Sequence, residues 1–308
     1  MEQRPILVTG AHRSGTTWVG KMLAASGQAA YISEPLNVSH RRGVLAAPVE
    51  RWYTYICQQN QDAYLPAFRN LLHYDYHLWS ELKSLRSMKD LLRMGRDSTT
   101  FLRGRIQGLR PLLKDPFAVF STPWFARMLN CQVVVVVRRP AAVASSLKRL
   151  EWPFDIRDLL DQPLLMRDWL EPFREEMQAT GKEPVSLIQQ SSLLWKMIYT
   201  VVHQHRDQIP DVTLVRHEDL SLEPLSGFQS LYERLGLNFS PRARQAIIRS
   251  SQPDNPRELS RKAVHAVQLD SRSNLDNWKR RLEPDEIQMV QRITAPLEKV
   301  YYPEEDWD

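Results

Sequence analysis

The chain alternates short apolar runs with stretches of helical periodicity. Ile6 to Val8 is a brief β-forming run that ends at Gly10. Trp18, Val19, Met22 and Leu23 then recur at helical spacing, and Ser26-Gly27 closes that helix. Ala29 to Ser33 reads as a second strand, ended by Glu34-Pro35. Leu112 to Lys114 is a third, with a helix starting at Ser121 and Pro123 in its first turn. Five consecutive valines, Val133 to Val137, suit a strand covered on both faces, and Pro140 opens a helix over Ala141 to Leu150. Asp211 to Val215 is the last strand. Helices are expected over Ser186–Arg206, Glu223–Leu235 (stopped by Gly236) and about Asp285–Val300, where Ile287, Val290, Ile293 and Leu297 form a stripe. This alternation predicts an α/β fold: one domain over residues 1–308 with a central parallel sheet of about five strands flanked by helices.

Two segments break the alternation. Residues 37–110 hold Trp52, Tyr53, Tyr55, Tyr64, Tyr74, Tyr76 and Trp79 among many arginines, with one helix suggested by Leu82, Leu85 and Met88. Residues 151–185 are rich in Pro, Trp and acidic groups. Both are too long for simple connections and read as insertions that cover a substrate site, the second as a lid. His73 and His77 have the i,i+4 spacing of helix metal ligands but no evident third ligand, so they read as solvent-exposed histidines.

Composition narrows the class. With 308 residues, 43% hydrophobic and 25% charged, the chain can bury a full core. Its formal charge of +5 suits a polyanionic ligand, but no helix concentrates the arginines and no nucleic-acid motif is present. Cys57 and Cys131 offer neither a disulfide framework nor a metal spacing. With a first strand at residue 5, no leader pattern and no apolar run of membrane-spanning length, the expectation is a cytoplasmic protein. The sequence leaves its oligomeric state open.

The chemistry concentrates in the first strand–loop–helix unit. Gly10-x-x-x-x-Gly15 has the spacing of a phosphate-binding P-loop, which aims backbone N–H groups and a helix dipole at one anion. Thr16 stands where a nucleotide triphosphatase needs Lys, and the cation is Arg13, inside the loop. The valine strand likewise ends in Arg138-Arg139 rather than a metal-holding Asp, which makes a second anion site without a metal. Glu34, a carboxylate at a strand end, faces the side where α/β sheets bind ligands.

Arg13-Ser14-Gly15-Thr16-Thr17-Trp18 after a strand resembles the 5′-phosphosulfate loop of the sulfotransferases, which use 3′-phosphoadenosine 5′-phosphosulfate (PAPS) as donor and release adenosine 3′,5′-bisphosphate (PAP). Arg138, with Ser146 eight residues on (Ser145 is a close alternative), resembles the family's 3′-phosphate motif. Lys114-Asp115-Pro116 is similar to the segment whose lysine holds the donor's bridging oxygen. Glu34 occupies the place of the catalytic base in the carbohydrate and tyrosyl-protein branches. His217, the other candidate base by chemistry, falls in a segment resembling the family's architectural Arg-Tyr-Glu-Asp-Leu stretch. Arg272 and Ser273, in a basic stretch before Trp278, stand where the family closes over the 3′-phosphate, although the Arg-Lys-Gly motif of the small-molecule branch is not found there. The resemblance covers residues 5–35, 111–150 and 212–300. It implies metal-independent sulfuryl transfer from PAPS to an acceptor hydroxyl, on a carbohydrate or small natural product. A P-loop kinase or triphosphatase and a non-catalytic nucleotide-binding module are the alternatives.

Overall fold

A computed structural model describes residues 4–39, 42–180, 186–209, 211–258, 266–303 and 307. Five strands, β1 (Ile6–Thr9), β2 (Ala29–Ser33), β3 (Arg110–Lys114), β4 (Gln132–Val137) and β5 (Val212–Arg216), form one sheet in the order β2-β3-β1-β4-β5. Every pairing is parallel, with Leu7 opposite both Leu113 and Val133, and Val134 opposite Thr213.

The valine run sits near the middle of the sheet because it is apolar on both sides. Val133, Val135 and Val137 join one core with Phe125, Trp195 and Tyr199. Val134 and Val136 join the other, against Trp18 and Val19 of helix α1 (Thr16–Ala24) and Phe228 and Tyr232 of the Pro224–Leu235 helix. Period-two side chains thus need helices on both faces, as parallel sheets do.

The chain leaves β1 toward β2 on one side, and β4 lies on the other. The carboxyl ends of β1 and β4 therefore flank a topological switch point, where such sheets open a crevice. Gly10 makes the exit possible: a Cβ there would lie 2.2 Å from the Val136 carbonyl oxygen.

The C-terminal helix is interrupted. It runs over Pro284–Thr294 and resumes at Leu297–Tyr301, because Pro296 lacks the amide an unbroken helix needs. The Glu223–Leu235 stretch begins at Pro224, after a separate short helix over His217–Leu222. In the first insertion, the expected helix over Leu82, Leu85 and Met88 is instead two. One ends at Leu82 and the next runs over Met88–Gln107, because the Ser87 side chain accepts from the Asp90 amide and caps a new start. His73 and His77 do not share a helix: His73 follows Leu65–Leu72, with its Nδ1 2.7 Å from the Arg69 carbonyl oxygen, and His77 precedes Leu78–Leu82. The second insertion is nearly all short helical pieces up to Thr180, and Leu159, Leu165, Met166 and Leu170 anchor it in the core. Residues 40–41 and 181–185 of these insertions lie outside the described residues.

Candidate active site

The loop between β1 and α1 is wound through left-handed conformations, with φ of 140° at Gly10, 71° at Arg13 and 100° at Gly15. Gly15 is forced twice over, by its φ and by space: a Cβ would stand 2.3 Å from Cδ2 of His217. Among the described residues no side chain caps α1, whose first-turn amides have no partner within the helix.

Two cavities meet at this loop and share Arg13, Thr16 and Thr17. The first, of ≈130 Å³, is cationic. Arg138, buried at the end of β4, donates from Nη1 to the Arg13 carbonyl oxygen at 3.0 Å. Its buried Nε has no hydrogen-bond partner among the described residues. Ser146, on the Pro140–Leu150 helix, accepts from Arg13 Nε at 3.1 Å. Ser145 instead bonds the Ala142 carbonyl, so Ser146 is the hydroxyl that faces the cavity. The alanine face of that helix packs on Trp278 and Val290, which brings Arg281 beside Arg149. Both arginines pair with Glu258, at 2.6 Å and 3.3 Å respectively. Among the described residues the wall thus carries four arginines against one carboxylate. Burial first, then Arg138, Arg149 and Arg281, push the Arg13 guanidinium down to about 10. A bound anion would relieve that repulsion.

His217 belongs to this cavity. Its ring packs against Gly15 and, tilted, against Trp18, and its Nδ1 lies 3.3 Å from Ser221 Oγ. Burial and then Arg138 hold it well below the ordinary histidine value, so it is a neutral wall. It does not reach the second cavity, where Glu34 lies.

The second cavity, of ≈400 Å³, is aromatic, with Trp52, Tyr53, Phe117, Trp152 and Phe154 in its wall beside Glu34 and His12. Glu34 sits at the end of β2 with φ of 51°, a conformation a non-glycine residue adopts at a cost. The strain turns its side chain into the crevice. Its carboxylate accepts from Lys114 Nζ and, at 2.8 Å, from Asn37 Nδ2. Lys114 is buried beneath it and lines neither cavity. Asp115 ties this corner together, accepting from the amides of Leu36 at 2.5 Å and Phe117 at 3.0 Å. Burial raises Asp115 to about 7.

The structure brings Arg13, Thr16, Thr17 and Trp18 to the cationic cavity with Arg138 and Ser146. Ser14 is fully buried, its hydroxyl within the loop. Arg272 and Ser273 are not brought there: Arg272 donates to the Leu222 carbonyl, and the Ser273 hydroxyl donates to Asp270. Their neighbours Ser271 and Asn274 line the wall instead. Sequence reasoning missed Arg149, although it stands one helical turn beyond Ser146. It also missed Arg281, which has no local signal. His12 was passed over as a loop residue. Its Nδ1 lies 2.5 Å from the Tyr53 hydroxyl, and burial, then Arg13, lower it to about 4 against the opposing pull of Glu34.

A zebrafish (Danio rerio) protein, carbohydrate sulfotransferase 1, is 25% identical over 193 residues, which are 61% of this chain and 39% of that protein. The chain therefore spans well under half the length of this relative. Among solved structures, the sulfotransferase domain from the curacin biosynthetic pathway is 17% identical, covering 96% of this chain and 97% of its own, with a TM-score of 0.48. A mouse sulfotransferase in complex with PAP is 12% identical, covering 99% and 90%, with a TM-score of 0.49. The model of the sulfotransferase family matches residues 5–241, most of the chain, and the protein belongs to that family.

Proposed function

We propose that the protein moves a sulfuryl group from PAPS to the hydroxyl of a carbohydrate or small natural product. The observation that carries this reading is the junction of the two cavities: a cationic one and an aromatic one, joined by Arg13, Thr16 and Thr17 at the start of α1. The donor set suits the nucleotide. Arg138, with its unpartnered buried Nε, and Ser146 can take a phosphate, and the loop amides and Arg13 can take the phosphosulfate.

Glu34 is the proton acceptor in this reading. The acceptor oxygen bonds to sulfur while the sulfur–oxygen bond to the nucleotide phosphate breaks. Glu34 takes the hydroxyl proton, and Arg13 with the α1 amides meets the charge growing on the bridging oxygen. Lys114 acts at one remove, by holding Glu34 in place. The aromatic wall suits the apolar face of a sugar ring or an aryl group, and the 25% identical relative named for carbohydrate sulfation supports the sugar.

The test is thermal unfolding with PAP, set against ATP with Mg²⁺. PAP at ~100 times its dissociation constant should add about 2.7 kcal/mol. A shift with Mg²⁺-ATP alone would overturn the reading in favour of a P-loop kinase.

A further inference from the structure

A third cavity, of ≈380 Å³, lies outside both of those described and runs along the edge strand β2. Ala29 to Ser33 all contribute to its wall, a length of ~13 Å at the usual rise per residue. Lys21, Arg96, Arg103 and Arg242 line it against the single carboxylate of Asp97, among the described residues. Three separate helices supply these cations: Lys21 from α1, Arg96 and Arg103 from Met88–Gln107, and Arg242 from Pro241–Ser251.

The cations converge. Gly27 has φ of +82°, and a Cβ on it would stand 3.4 Å from Nη1 of Arg242 and 4.0 Å from Nη2 of Arg103. Two guanidiniums from elements far apart in sequence therefore face one point. Arg103 donates from Nε to Gln107, an uncharged partner, and Asp97, the one carboxylate in this wall among the described residues, pairs with its neighbour Arg96. Like charges gathered over a side-chain-free position make an oxyanion pocket.

The groove also abuts the acceptor side of the site. Ser33 lines it and the next residue is Glu34. Thr17, in the aromatic cavity, shares one face of α1 with Lys21 and Ala24, in the groove. Lys21 is close enough to Lys114, the partner of Glu34, for repulsion between them to help lower its pKa.

We infer that this groove is an anion subsite that selects acceptors carrying a sulfate or carboxylate group remote from the reacting hydroxyl. The selection rests on the sulfotransferase reading above; binding of the anion does not. The anionic end lies over Gly27 between Arg103 and Arg242, and the chain runs along β2 to Glu34.

The experiment keeps the two separate. With PAP saturating the cationic cavity, binding of three oligosaccharides of equal length is measured at 0.15 M salt, on the order of physiological ionic strength. They are dextran sulfate, carboxymethyl-dextran and neutral dextran. The Arg103→Gln/Arg242→Gln double variant should weaken the anionic probes about tenfold or more and leave the PAP thermal shift unchanged. Whichever anionic probe binds more tightly identifies the substituent. The Lys89→Gln/Arg93→Gln variant removes the same amount of charge, all of it from the Met88–Gln107 helix and outside the groove, and should bind as the parent does. Equal loss in both double variants would overturn the subsite in favour of diffuse attraction, as would neutral dextran binding as well as the charged probes. Loss of the PAP shift in the parent protein would instead sink the sulfotransferase reading and leave the anion result readable.

Discussion

The cationic and aromatic cavities share Arg13, Thr16 and Thr17 and differ in nearly everything else. The first is small; Arg13, Thr16 to Trp18, Arg138, Ser146 and Arg149 come from two strand–loop–helix units, and His217 and Arg281 join them from later segments. The second is about three times larger and gathers its wall from His12, from Trp52 and Tyr53, from Phe117, and from Trp152 and Phe154. One is lined by four arginines and the start of α1, among the described residues. The other is built from inserted segments, which can change without disturbing the sheet. The cationic cavity thus sits mostly on the frame, and the insertions supply Trp52, Tyr53, Trp152 and Phe154 to the aromatic one.

The sharpest way to break this division is at the proton acceptor. Glu34→Gln keeps the shape and removes the base, so kcat should fall about 10²–10⁴-fold while PAP still shifts the melting temperature. Single-turnover sulfation of an acceptor oligosaccharide reads this directly. Full turnover in Glu34→Gln together with loss in His12→Gln would move the role to His12.

The cationic side should respond in the opposite sense. Arg138→Ala should cost ~2–5 kcal/mol in PAP binding by calorimetry, much of it from the charges left facing an empty position. Binding of the acceptor should be nearly unaffected. If both ligands weaken equally, the cavities are not separable.

Acid should loosen both sides. Burial holds His12 and His205 at about 4, and holds His217 well below the 6.5 of an unperturbed histidine. The unfolded chain therefore binds more protons between about pH 6.5 and 4. The stability from neutral burial is complete above that window and is lost as pH falls through it, by up to about 1.4 kcal/mol per histidine per pH unit. Asp115, raised to about 7, runs the other way and loses its contribution as pH rises through 7. With three histidines against one carboxylate, melting temperature should fall from pH 7 to pH 5, and His12→Gln should flatten the slope.

The smallest effect is expected from Arg272→Ala. Its guanidinium lies on the surface, bonded to the Leu222 carbonyl. Stability should change by no more than about 0.5 kcal/mol, with PAP affinity unchanged. A tenfold loss of PAP affinity would return Arg272 to the wall of the cationic cavity.

Much of the frame was legible because its signals are local. Val133 to Val137 reads as a buried strand, and Gly10 and Gly15 bracket a turn with the spacing of a phosphate-binding loop. Arg138 and Ser146 share one short unit, and the resemblance to the family's 3′-phosphate motif paired them, with Ser145 as the alternative that the structure turns away. The helix boundaries at Ser87 and Pro296 were legible in principle, as a serine cap and a missing amide, but were hidden beneath longer apolar stripes. Arg272 and Ser273 illustrate the limit: composition marked the right turn, yet which side chains of that turn face inward depends on backbone rotation and on partners such as Asp270 and Leu222.

The sequence by itself determined the parallel α/β sheet and the glycine spacing of the first loop, since both follow from local periodicity and glycine placement, while the class of chemistry came from the family resemblance of its motifs. Only the tertiary structure decided that Lys114 holds Glu34 from below, that His217 is a neutral wall of the other cavity, and that Arg149 and Arg281 share Glu258. Those outcomes depend on which residues distant in sequence are buried together. Burial sets the cost of an unpaired charge, and that cost chooses the partners.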